Sequence, residues 1–181
     1  TCNEMLLMHA LMNEYKDDKK ASAYLANQLL EEFRGTVFRQ TMFAAFERES
    51  HRMEEAGVPL TADTLSKVHY ELNEKYYGGE CVIDECVRHE WMRIPHFYTN
   101  FYVYKYATCI SAASYIVKRI ETEGEEYMAK YLNFLKAGGS KSPLESLLIA
   151  EVDLTRPDVI ENAIRDFSDV IDEFRAIYSE E

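Results

Sequence analysis

The sequence predicts an all-α fold, and three features predict it. Seven glycines and four prolines are few among 181 residues, so the chain is poor in turns and breakers. Apolar residues recur at helical spacing along most of its length. Where Gly and Pro do occur, several sit beside residues that cap helices.

Met5, Met8, Leu11 and Met12 form the stripe of a first helix over residues 4–14, and Lys16 to Lys20 is a charged break. Tyr24, Leu25, Gln28, Leu29 and Glu32 mark a second helix over 21–34, with Gly35 as its stop and Thr36 as the N-cap of the next. That next helix, 37–56, groups Val37, Phe38, Met42, Ala45, Phe46 and Met53, and ends at Gly57-Val58-Pro59, because a residue before proline is biased away from helix. Thr61 caps a helix to residue 76 or 77 with Leu65, Val68, His69 and Leu72 as its stripe. Gly78-Gly79 opens an irregular segment to Pro95, with room for a short strand at 81–83. Residues 97–121 contain no Gly or Pro and are too apolar to face water all round, which predicts a long, central, mostly buried helix. A helix over 125–137 stops at Gly138-Gly139, and Ser142-Pro143 is an N-cap with proline in the first helical position of a short helix to 150. Thr155-Arg156-Pro157 starts the last helix, running through Ile160, Ile164, Phe167, Val170, Ile171 and Phe174 to Tyr178. About eight helices and almost no strand result. No internal repeat or low-complexity segment is present.

The length suits a single domain, and a chain of this size buries a core without a disulfide or metal staple. A net charge of -12 and a pI near 4.9 repel phosphate backbones, which argues against a nucleic-acid partner; solubility accounts for most of the acidic balance, and a preference for basic or neutral peptides is the weaker reading of it. No run approaches the roughly 18 apolar residues of a membrane span. The four cysteines, Cys2, Cys81, Cys86 and Cys109, lack metal-ribbon spacing and read as reduced thiols of a cytoplasmic protein. Residues 1–8 read as the middle of a helix, so the chain is expected to be a fragment.

Motifs for self-contained chemistry are missing. His89-Glu90 begins like HExxH, but Arg occupies position 93, and the five histidines share no ligand spacing. Neither a GxSxG elbow nor a glycine-rich phosphate loop is present. The segment from His96 to Tyr106 is distinctive, with four tyrosines, two phenylalanines and a histidine within eleven positions. It reads either as an aromatic core helix or as the wall of a cleft. In a cleft, neutral phenols and imidazole donate hydrogen bonds to a substrate and to a developing oxyanion.

Ile-Pro-His-Phe-Tyr at 94–98 and Phe-Tyr-Val-Tyr-Lys-Tyr-Ala-Thr at 101–108 resemble the C-terminal signature of the oligoendopeptidase F branch of the thimet-oligopeptidase-like zinc peptidases. Supporting stretches are Thr-Cys-Asn-Glu at 1–4, Phe-Arg-Gln-Thr-Met-Phe at 38–43, Leu-Asn-Glu-Lys-Tyr-Tyr-Gly at 72–78, Gly-Gly-Ser-Lys-Ser-Pro-Leu at 138–144 and Val-Asp-Leu at 152–154; Cys109 departs from an expected Gly. The resemblance implies the helical C-terminal region of a zincin-like catalytic domain, residues 1–181, lacking the HExxH segment. It implies a parent that hydrolyses short peptides, with one zinc held by ligands that precede Thr1, so that no metal ligand and no bound zinc are expected in this chain, which is inactive alone. On the resemblance, Tyr104 matches the tyrosine that binds the tetrahedral oxyanion and His96 acts beside it. Tyr98 and Tyr102 bind substrate, and Glu4 neighbours the zinc and orients one of its ligands. At 100° per residue a continuous helix would place Tyr98 and Tyr102 on one face and Tyr104 on another, so all reach one cleft only if residues 95–101 leave helical geometry. The expected partners are short peptides and the upstream zinc-binding segment, with self-association possible through the surface that segment would cover. Two other readings are a non-catalytic helical peptide-binding module and a helical scaffold with an aromatic core; HExxH upstream of Thr1 separates the first reading from both.

Overall fold

The computed structural model describes residues 1–179 as eight α-helices, two 3₁₀ segments and one π turn, with no strand among them. The helices are α1 (Cys2–Glu14), α2 (Lys19–Phe33), α3 (Arg39–Glu55), α4 (Ala62–Tyr77), α5 (Tyr104–Glu123), α6 (Glu125–Ala137), α7 (Pro143–Ile149) and α8 (Asp158–Ser179). They divide between two compact units. The first holds residues 1–34 and 108 onward; the second holds 35–107.

In the first unit, Ala112, Ile116 and Ile120 of α5 pack with Tyr127 and Tyr131 of α6, and Ala150, Val152 and Val159 close the cluster. Each large apolar side chain buried this way contributes about 1.5–3 kcal/mol. The Tyr127 hydroxyl donates to the Ala150 carbonyl, and burial pushes its phenol up to about 12. Beside it, Arg119 pairs with Glu123 and Glu151, and Lys130 reaches Glu151 at 2.8 Å. Glu151 takes a left-handed φ of 55° just past the end of α7, where its amide donates to the Leu148 carbonyl and the Val152 amide to the Leu147 carbonyl, both at 3.0 Å. Capping follows the side chains that can cap: Asp18 accepts from the Lys20 and Ala21 amides, and Ser142 forms a capping box with Glu145 ahead of Pro143.

In the second unit, α3 packs on α4, and Thr61 with Thr64 forms the box that starts α4. Its core gathers Met42, Phe43, Ile94 and Val103 with Phe97 and Leu72 against them. The buried line of α4 is polar: Ser66, His69 and Asn73. Asn73 donates to the His69 carbonyl, and Ser66 and His69 grip the 3₁₀ segment Glu85–Arg93. Trp91 Nε1 donates to Ser66 Oγ at 3.2 Å, His89 Nδ1 lies 3.2 Å from the same oxygen, and His69 Nδ1 meets the Val87 carbonyl at 3.1 Å. Arg39 of α3 adds an ion pair to Glu90.

Four sequence expectations are corrected. Gly35 does not stop a helix and Thr36 caps none. Gly35 is not among the left-handed residues, and Arg34–Phe38 forms a π turn leading into α3. No strand forms at 81–83, where Val82 is exposed and has no neighbouring strand to pair with among the described residues. The long helix begins at Tyr104, not at residue 97. The apolar stripe of α8 runs through Val159, Ala163 and Val170, leaving Ile160 and Ile164 exposed.

His69 is fully buried between the rings of Phe43 and Phe46, and its Nε2 has no hydrogen-bond partner among the described residues. The Val87 carbonyl can only accept, so Nδ1 carries the proton in the neutral ring. Burial pushes the His69 pKa down, opposed by the nearby Glu90 carboxylate and helped by Arg39. Below the ordinary histidine value of about 6.5, an unfolded chain therefore binds a proton that the folded one refuses, and stability falls as pH drops through that window. Thermal melts from pH 7 to pH 5 should show a larger loss of melting temperature for the native protein than for His69→Gln; equal slopes would remove His69 as the cause.

Candidate functional site

The aromatic segment is suspended between two buried anchors, Ile94 and Val103, both in the core of the second unit. Pro95–Tyr98 makes a 3₁₀ turn, Thr99 is extended with its amide on the His96 carbonyl at 3.0 Å, and α5 begins only at Tyr104. Between these pieces Phe101 adopts φ 52°, a left-handed conformation that is strained for a bulky residue. Two residues of α3 hold it there. Its amide donates to Glu47 Oε1 at 2.6 Å, and its ring stacks on His51 with centroids 4.6 Å apart. Glu47 and His51 are four apart and so share one face of α3. The Glu47 carboxylate is only 6% exposed, and burial of a charge requires such a donor.

The turn at Phe101 folds Tyr102 back over His96. Their rings stack at 5.5 Å with planes 23° apart. Tyr106, in the first turn of α5, meets both: its ring stands edge-on to His96 and to Tyr102, its hydroxyl lies 3.2 Å from His96 Nε2, and it donates to the Tyr102 hydroxyl at 3.4 Å. Donation to Tyr102, with a smaller effect of burial, pushes the Tyr106 pKa above its ordinary value, so the phenol keeps its proton at neutral pH. With that proton committed to Tyr102, His96 Nε2 donates to Tyr106, and the Tyr102 proton is the one left to give. The arrangement is a short chain of neutral donors that ends at a partly exposed hydroxyl.

Of the sequence candidates, His96 and Tyr102 are brought together. Tyr98 stands apart at 89% exposed, with no hydrogen bond or ring contact from its side chain among the described residues. Tyr104 is half exposed at the start of α5; two positions from Tyr106, its side chain leaves the helix about 200° away. Glu4 belongs to the first unit, where its side chain is 73% exposed. Tyr106, Glu47 and His51 were not singled out from sequence. The spacing of four between Tyr102 and Tyr106 was the available signal for Tyr106; nothing local marks Glu47 as the acceptor for an amide 54 residues away.

Among the described residues no group of three His, Cys, Asp or Glu side chains is placed to hold a metal ion, so the residues present do not fit a resident zinc. No described helix is long and apolar enough to cross a membrane.

A family description for peptidase family M3 matches residues 1–166, and the chain belongs to that family of peptidases. It is 48% identical over 177 residues to oligopeptidase PepF of Bacillus subtilis and 42% identical over 177 residues to an oligoendopeptidase F homolog of Lactococcus lactis. It covers 98% of its own length in both cases, but spans only 26% and 29% of those relatives. The crystal structure of oligoendopeptidase-F from Enterococcus faecium superposes with a TM-score of 0.94 at 42% identity, over 99% of this chain and 34% of that one. The all-helical fold and the oligoendopeptidase F resemblance read from the sequence both stand.

Tyr106→Phe should keep the fold and the ring contacts while removing both hydroxyl bonds. The imidazole ¹⁵N signals of His96 should then move toward those of a free ring with the melting temperature near native. Unmoved signals would mean that the Tyr106 hydroxyl does not hold His96.

Proposed function

We propose that this chain is the C-terminal, substrate-binding part of a zinc-dependent oligoendopeptidase that hydrolyses short peptides, and that it is inactive by itself. The observation that carries the reading is the paired set of half-buried and exposed neutral donors, His96, Tyr102 and Tyr106 together with Tyr98 and Tyr104, in a chain of peptidase family M3. Neutral phenol and imidazole donors suit a peptide carbonyl, and they gain strength once a substrate excludes water from them. In this reading Tyr104 donates to the oxyanion of the tetrahedral intermediate, and His96 acts beside it. Tyr98 and Tyr102 hold the peptide backbone. Zinc and its ligands belong to the part of the parent outside residues 1–181, and the only role proposed for Glu4 is to orient one of those ligands. The abundance of carboxylates favours neutral or basic peptides over acidic ones.

Kinetics on the parent enzyme with a short internally quenched peptide test the assignment. Tyr104→Phe should lower kcat by about 10²–10³-fold with little change in KM, the size expected for loss of one oxyanion donor. His96→Ala should lower kcat/KM, and Tyr98→Phe should act mainly on KM. The isolated chain should release no product with or without added zinc. Native kcat in Tyr104→Phe removes the oxyanion role, and peptide hydrolysis by the isolated chain overturns the division of labour between the two parts of the parent.

A further inference from the structure

We propose that Glu47 is a positioning residue for the His96–Tyr102–Tyr106 cluster, acting through the backbone of Phe101. The inference rests on the peptidase reading for its kinetic consequence and on geometry alone for its structural one. Among the described residues, Phe101 is one of two non-glycine residues with positive φ, the other being Glu151 in the first unit. Strain of this kind persists only where the surroundings impose it. What imposes it here is the 2.6 Å bond from the Phe101 amide to Glu47 Oε1, backed by the ring stack on His51. Glu47 is buried on α3, a helix whose Met42 and Phe43 form the core of this unit, so the acceptor is rigid.

The alternative backbone is the regular helix that the sequence of residues 97–121 suggests. In such a helix Tyr102 and Tyr106 would still share a face, since they are four apart. His96, six residues before Tyr102, would lie about 240° around the axis and about 9 Å along it, too far to stack or to bond. The left-handed turn at Phe101 therefore makes the difference between two phenols on a helix and a three-membered donor cluster. Glu47 supplies the acceptor that makes that turn the stable one. It needs an oxygen at that point and not a charge. Glutamine, which retains one carbonyl oxygen, should replace it; alanine should not.

The test uses the parent protein. In Glu47→Ala, kcat for a short peptide should fall about 10- to 100-fold, the scale of a misplacement near 1 Å, with KM changed much less. Glu47→Gln should restore kcat to within a few-fold of native. Phe101→Pro removes the same amide donor and forbids positive φ at a loop position away from the core, so it should reproduce the alanine phenotype even where Glu47→Ala fails to fold. A readout independent of activity accompanies these. In protein labelled with ¹⁵N-histidine, the His96 ring signals should move toward free values in Glu47→Ala and Phe101→Pro and stay in place in Glu47→Gln. Native kcat and unmoved His96 signals in the folded Glu47→Ala or Phe101→Pro protein overturn the proposal. Equal losses in Glu47→Ala and Glu47→Gln also overturn it, because the charge and not the amide acceptor would then be what counts. If the native parent cleaves no peptide, the peptidase reading fails, and the His96 signals alone decide whether Glu47 positions the cluster.

Discussion

A carboxylate buried in a helical core and one backbone amide, Glu47 and Phe101, set the geometry on which the candidate site depends. A buried carboxylate without a donor costs several kcal/mol, and a phenylalanine in the left-handed region is strained by about 1–3 kcal/mol. Neither would persist alone. Together each relieves the other: the strained turn presents an amide, and the amide satisfies the charge. The other non-glycine left-handed residue is stabilised differently. Glu151 sits just past the end of α7 in the first unit, where backbone bonds from its own amide and that of Val152 to the last turn of the helix fix it. There the backbone turn serves the termination of α7. At Phe101 it serves the placement of neighbouring side chains.

The second unit spends much of its buried surface on polar groups. Ser66, His69 and Asn73 run along α4 where an apolar stripe would ordinarily lie, and each makes a hydrogen bond. The reason is the neighbour they face. The segment Glu85–Arg93 is a 3₁₀ run, whose backbone bonds have poorer geometry than those of an α-helix, and side chains of α4 and α3 brace it.

How much of this was legible depended on whether the governing interaction is local. Thr61, Ser142-Pro143 and Gly138 announce helix ends, because a cap bonds to residues two to four positions away, and α4, α6 and α7 were read from them to within a residue or so. The start of α5 was misread by seven positions, because residues 97–103 contain no local breaker. What breaks that helix is Glu47, on a different helix and far away in sequence. The stripe on α4 was read in part: His69 is buried and Leu72 packs on the core, whereas periodicity passes over the buried Ser66 and Asn73, which are polar and have hydrogen-bond partners. On α8, Ile160 and Ile164 were indistinguishable from Val159 and Ala163 by hydrophobicity; only the packed neighbours separate them. Of the candidate site, His96 and Tyr102 are marked by residue type within the family-like segment, whereas the third member, Tyr106, is set apart from Tyr104 only by which way each side chain leaves α5.

The direction of donation in the cluster bears on why three groups are grouped at all. A lone tyrosine hydroxyl can rotate its proton toward any acceptor and orders its direction only when the substrate arrives. Here the Tyr106 proton is directed to Tyr102, and that bond is also what raises the Tyr106 pKa. The same phenol oxygen lies within hydrogen-bond distance of His96 Nε2, which ties the imidazole to the two phenols. Each contact thus removes a rotational choice from its partner, and the freedom that remains belongs to the outermost hydroxyl, Tyr102. Ordering of this kind lowers the reorganisation that binding a carbonyl would otherwise demand. It also explains why the turn at Phe101 matters more than the identity of the Phe101 side chain, since the sequence of donors exists only while His96 is kept beside the two phenols.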